Sequence, residues 1–86
     1  MKELELTENK IKSLFSLIES ANSFEECREF FSELEKIQTD LAVLVFKERV
    51  EVSTKLRKFV HDFDRLDDID LRQNMFAKIQ KGEYEF

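Results

Sequence analysis

Apolar side chains recur at the three- and four-residue spacing of an amphipathic helix along most of the chain. Near its start, one face of such a helix is formed by Leu4, Ile11, Leu14, Phe15 and Ile18. This spacing predicts a first helix over about residues 3–21. Little chain remains before the next helix signal, so we expect the first two helices to form a tight antiparallel hairpin.

The next helix begins at a specific start signal. Ser23 can accept a hydrogen bond from the backbone N–H of Glu26, while the Glu26 carboxylate can reach back to the N–H of Ser23. This arrangement is a capping box. The chain has no Pro, and its single Gly is Gly82, so nothing in the sequence forces the helix to end earlier. We therefore predict one long helix over about residues 24–66.

Two apolar series run along this predicted helix, and their registers differ by one residue. The first is Cys27, Phe30, Leu34, Ile37, Leu41 and Leu44, and the second is Val45, Val52, Leu56, Phe59, Phe63 and Leu66. On a helical wheel, Val43, Phe46 and Val50 fall nearly opposite the first series. Around residues 41–46 the helix would therefore be apolar on two sides.

Two architectures satisfy this pattern. An unbroken helix over residues 24–66 would be about 65 Å long, whereas a compact globule of this size is roughly 30 Å across. We favour an all-α helical bundle in which shorter N- and C-terminal helices pack antiparallel against the long helix and a second copy covers its centre as a homodimer. The alternative is a monomeric four-helix bundle with a break near Gln38, Thr39 and Asp40, where a new helix could be capped.

The predicted dimer or partner interface lies at the centre of the long helix. Its residues are Leu41, Val43, Leu44, Phe46, Glu48 and Val50. Glu48 projects onto the apolar stripe, where a lone buried carboxylate would be costly. We expect Glu48 either to pair with Lys47 or Arg49 of a partner helix and fix the register, or to lie at a solvated edge.

The last helix is predicted over about residues 69–81, within a single helical domain that spans residues 1–86. Asp67 or Asp68 can cap its start, and Gly82 suits the left-handed position after its end. The tail, residues 82–86, carries Tyr84 and Phe86 between acidic residues. This tail is either a short docking peptide or a segment that folds back onto the bundle.

Charge is distributed unevenly along the chain. The formal net charge is -5, yet residues 47–61 carry five basic against two acidic side chains. The helical wheel places a basic ridge on one side of the long helix, formed by Lys47, Arg57, Lys58, His61 and Arg65. Such a ridge could follow a phosphate backbone. The acidic remainder of the chain disfavours a general nucleic-acid or membrane-surface binder.

Side chains typical of catalysis are scarce. With one Cys and one His, Cys27 and His61 are the only nucleophile and base of that kind, and Cys27 lies in an apolar series where an inert thiol is expected. The acidic run from Asp62 to Asp70 lacks the Gly and the final Glu of a calcium loop. We therefore predict no enzymatic activity, no metal and no cofactor.

These features favour a non-catalytic protein–protein interaction module that acts as a small adaptor, inhibitor or regulator. The partner is an unidentified protein, and the alternative is a nucleic-acid-binding helical dimer that uses the ridge from Lys47 to Arg65. A single cysteine suits a reducing compartment, and the sequence shows neither a signal peptide nor an apolar run of membrane-spanning length. We expect a cytoplasmic protein without membrane association.

Overall fold

Four α-helices make up most of the described part of the chain. The computed structural model describes residues 2–86, with side chains described from Leu4 onward. The helices are α1 (Lys2–Glu19), α2 (Arg28–Ala42), α3 (Thr54–Asp62) and α4 (Ile69–Gln80). A 3-10 turn (Glu25–Cys27) leads into α2, and a π-helical turn (Val43–Lys47) follows it. Residues 2–86 contain no strand, so the all-α prediction is confirmed.

Both ends of α4 follow the predicted chemistry. The Asp68 carboxylate accepts from the backbone N–H of Asp70 at 2.8 Å, which caps the start of the helix. After the end, Gly82 takes a φ of 73°, and the N–H of Glu83 donates to the carbonyl of Lys78 at 2.9 Å. This is the left-handed C-terminal cap that Gly forms at low cost.

The capping box before α2 is formed with one change of partner. The backbone N–H of Glu26 donates to Ser23 Oγ at 3.4 Å, as predicted. The Glu26 carboxylate accepts from the N–H of Asn22 at 3.0 Å, where the N–H of Ser23 was expected. These hydrogen bonds therefore mark the start of the 3-10 turn, whereas α2 itself begins at Arg28, after the predicted start near residue 24.

The predicted long helix over residues 24–66 is wrong, because the chain leaves helical geometry after Lys47 and α3 begins only at Thr54. Arg49 adopts a left-handed φ of 55°, and the N–H of Val50 donates to the carbonyl of Leu44 at 2.9 Å. Ser53 then caps α3 by accepting from the N–H of Leu56 at 3.3 Å. The longest dimension is consequently only 37 Å.

The alternative break near Gln38, Thr39 and Asp40 is wrong in position, since all three lie inside α2. Thr39 Oγ1 donates to the carbonyl of Glu35 one turn earlier, at 3.0 Å, which is compatible with an uninterrupted helix. Gln38 is only 6% exposed, and its Nε2 donates to the carbonyl of Val60 at 3.4 Å. Gln38 therefore links α2 to α3, and none of the three residues starts a new helix.

One hydrophobic core joins the four helices. Helix α1 packs on α2 and α4, and α2 packs on α3. The buried apolar side chains are Ile11, Leu14, Phe15, Ile18, Cys27, Phe31, Leu34, Leu41, Leu56, Phe59, Val60, Phe63, Leu66, Met75 and Ile79. Within residues 2–86, no helix combines the length and the hydropathy that crossing a bilayer would need.

Candidate protein-binding groove

The π-helical turn after α2 separates the apolar stretch 41–46 into inward and outward residues. Leu41 is 2% exposed and belongs to the core, whereas Val43 and Phe46 are 40% and 70% exposed. Leu44 and Val50 are half-buried. The predicted interface is thus divided, and among its apolar members only Val43 and Phe46 are exposed, with most of the surface of Phe46 open to solvent.

The predicted place of Glu48 on an apolar stripe is wrong. Because the helix has ended before it, Glu48 lies in the connection to α3 and is exposed. A solvated carboxylate needs no buried partner. Glu48 therefore has no buried position from which to fix a helix register. Of the two expectations, the solvated one matches its position.

A groove of about 820 Å³ opens beside Phe46, and we call it the Phe46 groove. The π-helical turn, the segment from α3 to Leu66, and α4 supply its walls. Its apolar lining consists of Val45, Phe46, Val60, Leu66, Leu71 and Met75. Its polar lining consists of Arg57, His61, Asp62, Asp64, Arg65, Asn74 and Lys78. The size is that of a cleft that holds a ligand or a peptide segment.

The basic side chains of the groove carry unpaired charge. Within the described residues, no hydrogen bond or ion pair engages the side chains of Arg57, Arg65 or Lys78. His61 contacts its neighbour Asp62, with 3.3 Å between Nδ1 and Oδ1. The groove therefore concentrates available positive charge on a chain whose net charge is -5.

The two acidic side chains of the groove already have polar partners in the chain. Tyr84 donates its hydroxyl to Asp62 Oδ2 at 2.7 Å. Asp64 Oδ1 accepts from Gln38 Nε2 at 3.4 Å. Within the described residues, neither carboxylate forms an ion pair with an Arg or Lys side chain of the groove, and Asp62 also contacts His61.

The predicted basic ridge does not form one continuous surface. Arg57, His61 and Arg65 line the Phe46 groove, while Lys47 lines a second depression of about 440 Å³ on the other side of Phe46. Lys58 lies 4.4 Å from the centre of the Tyr84 ring and donates to the carbonyl of Glu85 at 3.3 Å. The helical wheel that aligned these residues assumed an unbroken helix, and the turn at Arg49 removes that alignment.

The tail packs against the bundle. Phe15 is the centre of these contacts, with ring centroids 5.8 Å from Tyr84 and 5.9 Å from Phe86. Both tail rings are partly buried against the core. Of the two predicted uses of the tail, this arrangement is the folded-back one.

The candidate catalytic pair is not assembled. Cys27 is fully buried, and this burial, with the nearby Glu26 carboxylate, raises the pKa of its thiol. The side chain of His61 is 90% exposed, and its described polar contact is to Asp62. A buried thiol with a raised pKa is a poor nucleophile. Within residues 2–86, no three His, Cys, Asp or Glu side chains are grouped to hold a metal ion.

Sequence reasoning missed the contribution of α4 to the groove. Leu71, Met75 and Lys78 line it, and they follow the helical spacing of four and three residues. That spacing was visible in the sequence. The spacing within one helix does not indicate which other elements face it, so the groove could not be predicted from α4 alone.

The fold and the groove define a class: a small all-helical protein with an apolar, basic surface that a protein partner could cover. The family described as Immunity protein CdiI-like matches residues 1–81, and the chain belongs to this family. No curated protein and no solved structure matches the chain. Membership suggests a small protein that inhibits a partner protein, which agrees with the inhibitor or regulator predicted from the sequence.

Proposed function

We propose that the chain is an immunity protein that neutralises a toxin protein by binding it, without catalysis. The family match over residues 1–81 is the observation that carries this proposal. The state of Cys27 supports a non-catalytic role, because its thiol is buried with a raised pKa, while His61 is exposed and contacts Asp62 instead.

The surface that would bind the toxin is the one around Phe46. Large aromatic side chains at the centre of an interface, with Arg nearby, supply much of the binding free energy of protein complexes. Phe46 is 70% exposed, and Arg57 and Arg65 lie in the same groove. Covering this ring would remove the most exposed aromatic side chain of the described structure from water.

The nucleic-acid alternative has weaker support. A phosphate-binding surface needs cations aligned along the path of the backbone. Lys58 is engaged by the tail, and Lys47 faces a different depression from Arg57 and Arg65. The divided ridge therefore favours a protein partner.

The experiment that tests this function is a growth-rescue screen. Toxin domains from the genome that encodes the chain are expressed one at a time, with and without the chain. We expect one domain to arrest growth only when the chain is absent. Failure of the chain to relieve any growth arrest would contradict the proposal.

A titration then distinguishes binding from catalysis. The purified toxin is mixed with increasing amounts of the chain, and its residual activity is measured after short and long incubation. A binding inhibitor abolishes activity at a fixed molar ratio that does not change with time. An endpoint that moves to lower ratios with time would indicate turnover and would overturn the non-catalytic role.

A further inference from the structure

We propose that the Phe46 groove receives an acidic, hydrophobic segment of the partner protein. In this arrangement an apolar side chain of the segment packs beside Phe46, and flanking carboxylates face Arg57, Arg65 and Lys78. The inference rests on the proposed function in one respect, since it takes this segment to belong to the neutralised toxin.

The apolar lining determines what fills the middle of the groove. Leu66 and Met75 are 5% and 9% exposed and form a largely buried floor, while Leu71 and Phe46 are more exposed at its margins. An apolar side chain placed there would lose contact with water on the side that faces the floor, which is favourable in proportion to the area buried. Met75 adds an adaptable surface for an irregular side chain.

The surrounding cations determine what flanks that side chain. Arg57, Arg65 and Lys78 have no anionic partner among the described residues, whereas the groove's Asp62 and Asp64 are held by Tyr84 and Gln38. Both carboxylates stay charged, but Arg57, Arg65 and Lys78 outnumber them by three to two, so the groove is positive overall. Guanidinium groups bind carboxylates through paired, charge-assisted hydrogen bonds.

A protein segment fits this groove better than a polyanion does. The floor is formed by Val, Leu and Met side chains, which bury an aliphatic or aromatic residue but offer no hydrogen bonds to a base. The chain as a whole has a net charge of -5, which repels an extended phosphate backbone. A short acidic segment confines its charge to the basic groove.

The test is a selection from a random peptide library displayed on phage, with the full chain as the target. We expect the enriched peptides to carry a large apolar residue flanked by Asp or Glu. When bound, they should shift the methyl NMR signals of Leu71 and Met75. Absence of enrichment, enrichment of basic peptides, or shifts confined to another surface would overturn the proposal.

Charge reversal separates the groove from general electrostatics. Synthetic copies of the enriched peptides are titrated into Arg57→Glu/Arg65→Glu and into a control of equal charge change on other exposed surfaces, Lys12→Glu/Lys36→Glu. We expect the groove variant to bind at least about tenfold more weakly and the control to change by less than about threefold. Equal weakening in both variants would overturn the proposal. If circular dichroism shows that the groove variant is unfolded, Arg57→Gln/Arg65→Gln and its control Lys12→Gln/Lys36→Gln replace the pair with the same expectation.

Other occupants are outcomes of the same experiments. A polyuridine oligonucleotide or inorganic phosphate that shifts the groove signals, when no peptide does, would identify a phosphate site and overturn the proposal. Sedimentation that shows a dimer disrupted by Arg57→Glu/Arg65→Glu would identify a second copy as the occupant and would overturn it too.

Growth rescue distinguishes failure of this inference from failure of the proposed function. Rescue that persists in Arg57→Glu/Arg65→Glu would overturn the groove as the toxin-binding site while the inhibitory function stands. Rescue that is lost in this variant and kept in Lys12→Glu/Lys36→Glu supports both. If no toxin is neutralised but acidic peptides bind the groove, the immunity function fails and the chemistry of the groove is supported.

Discussion

Phe59 and Phe46 come from the same predicted helix and end in opposite environments. Phe59 is fully buried and stacks on Phe63 with 4.5 Å between ring centroids, next to Phe86 of the tail. Phe46 is 70% exposed and lines two depressions. The difference arises from the backbone between them, because the turn at Arg49 directs α3 onto α2 and leaves the π-helical turn at the surface. The burial of Phe59 stabilises the fold, whereas the exposure of Phe46 leaves an apolar surface for recognition.

The largest expected effect is on the buried side of this comparison. Phe59→Ala should lower the free energy of unfolding by about 3–5 kcal/mol, because it leaves a cavity in a fully buried site. Chemical denaturation followed by circular dichroism measures this change. A loss below about 1 kcal/mol would mean that the aromatic cluster does not hold the fold together, and the comparison would fail.

The tail should contribute less. Tyr84→Phe removes the hydrogen bond to Asp62, and we expect a loss of about 1 kcal/mol at neutral pH. Tyr84→Phe keeps the ring that packs on Phe15. A loss of several kcal/mol in the free energy of unfolding would therefore show that the hydroxyl does more than form this one hydrogen bond.

The difference in stability between the native chain and Tyr84→Phe should depend on pH. Burial of the Tyr84 phenol, together with its hydrogen bond to Asp62, raises its pKa well above the usual value of about 10. The folded chain therefore keeps this proton at pH values where the unfolded chain releases it. The stability advantage of the native protein over Tyr84→Phe should be complete below pH 10 and should shrink above it. Denaturation at a series of alkaline pH values tests this, and an advantage that grows with pH would contradict it.

Glycine substitutions in the turn between the two phenylalanines should change stability in opposite directions at neighbouring positions. Arg49→Gly should raise the free energy of unfolding by up to about 1 kcal/mol, because Gly adopts a positive φ without steric cost. The control is Glu48→Gly, whose φ of -90° any residue adopts, and it should lower stability. Equal destabilisation by both variants would show that Arg49 is not strained.

The smallest stability effect is expected at the exposed side. Phe46→Ser should change the free energy of unfolding by no more than about 0.5 kcal/mol, because little of the ring is buried. Thermal unfolding measures this difference. A loss of stability comparable with that of Phe59→Ala would show that Phe46 supports the fold. Its exposure would then no longer support a role in recognition.

The sequence predicted those parts of the fold that depend on local chemistry. Asp68 and Gly82 mark the ends of α4 because a short polar side chain and a residue tolerant of positive φ are the usual caps. Ser53 is also a cap, and a serine before Thr54 and Leu56 is a visible signal for the start of a helix. The long helix was predicted nevertheless, because the segment contains no Gly or Pro. The loss of helical geometry after Lys47 had no such signal, since arginine rarely adopts the left-handed conformation that Arg49 takes there.

The candidate site was predictable only in part. The apolar character of Val43 and Phe46 and the basic character of Arg57, His61 and Arg65 were visible in the sequence. Their meeting with α4 depends on how the helices pack, which the periodicity of one helix does not determine. The predicted homodimer stays a prediction, and a mass measurement by sedimentation in the absence of a partner tests it.

We propose that the toxin covers the surface around Phe46. This proposal is tested most directly by calorimetric titration of the toxin, identified by growth rescue, into the native chain, Phe46→Ser and Leu6→Ser. Leu6 is a matched control because it is 67% exposed on α1. We predict that Phe46→Ser weakens binding by about 100-fold or more and that Leu6→Ser changes it by less than about threefold. Equal affinity of Phe46→Ser and the native chain would contradict the account.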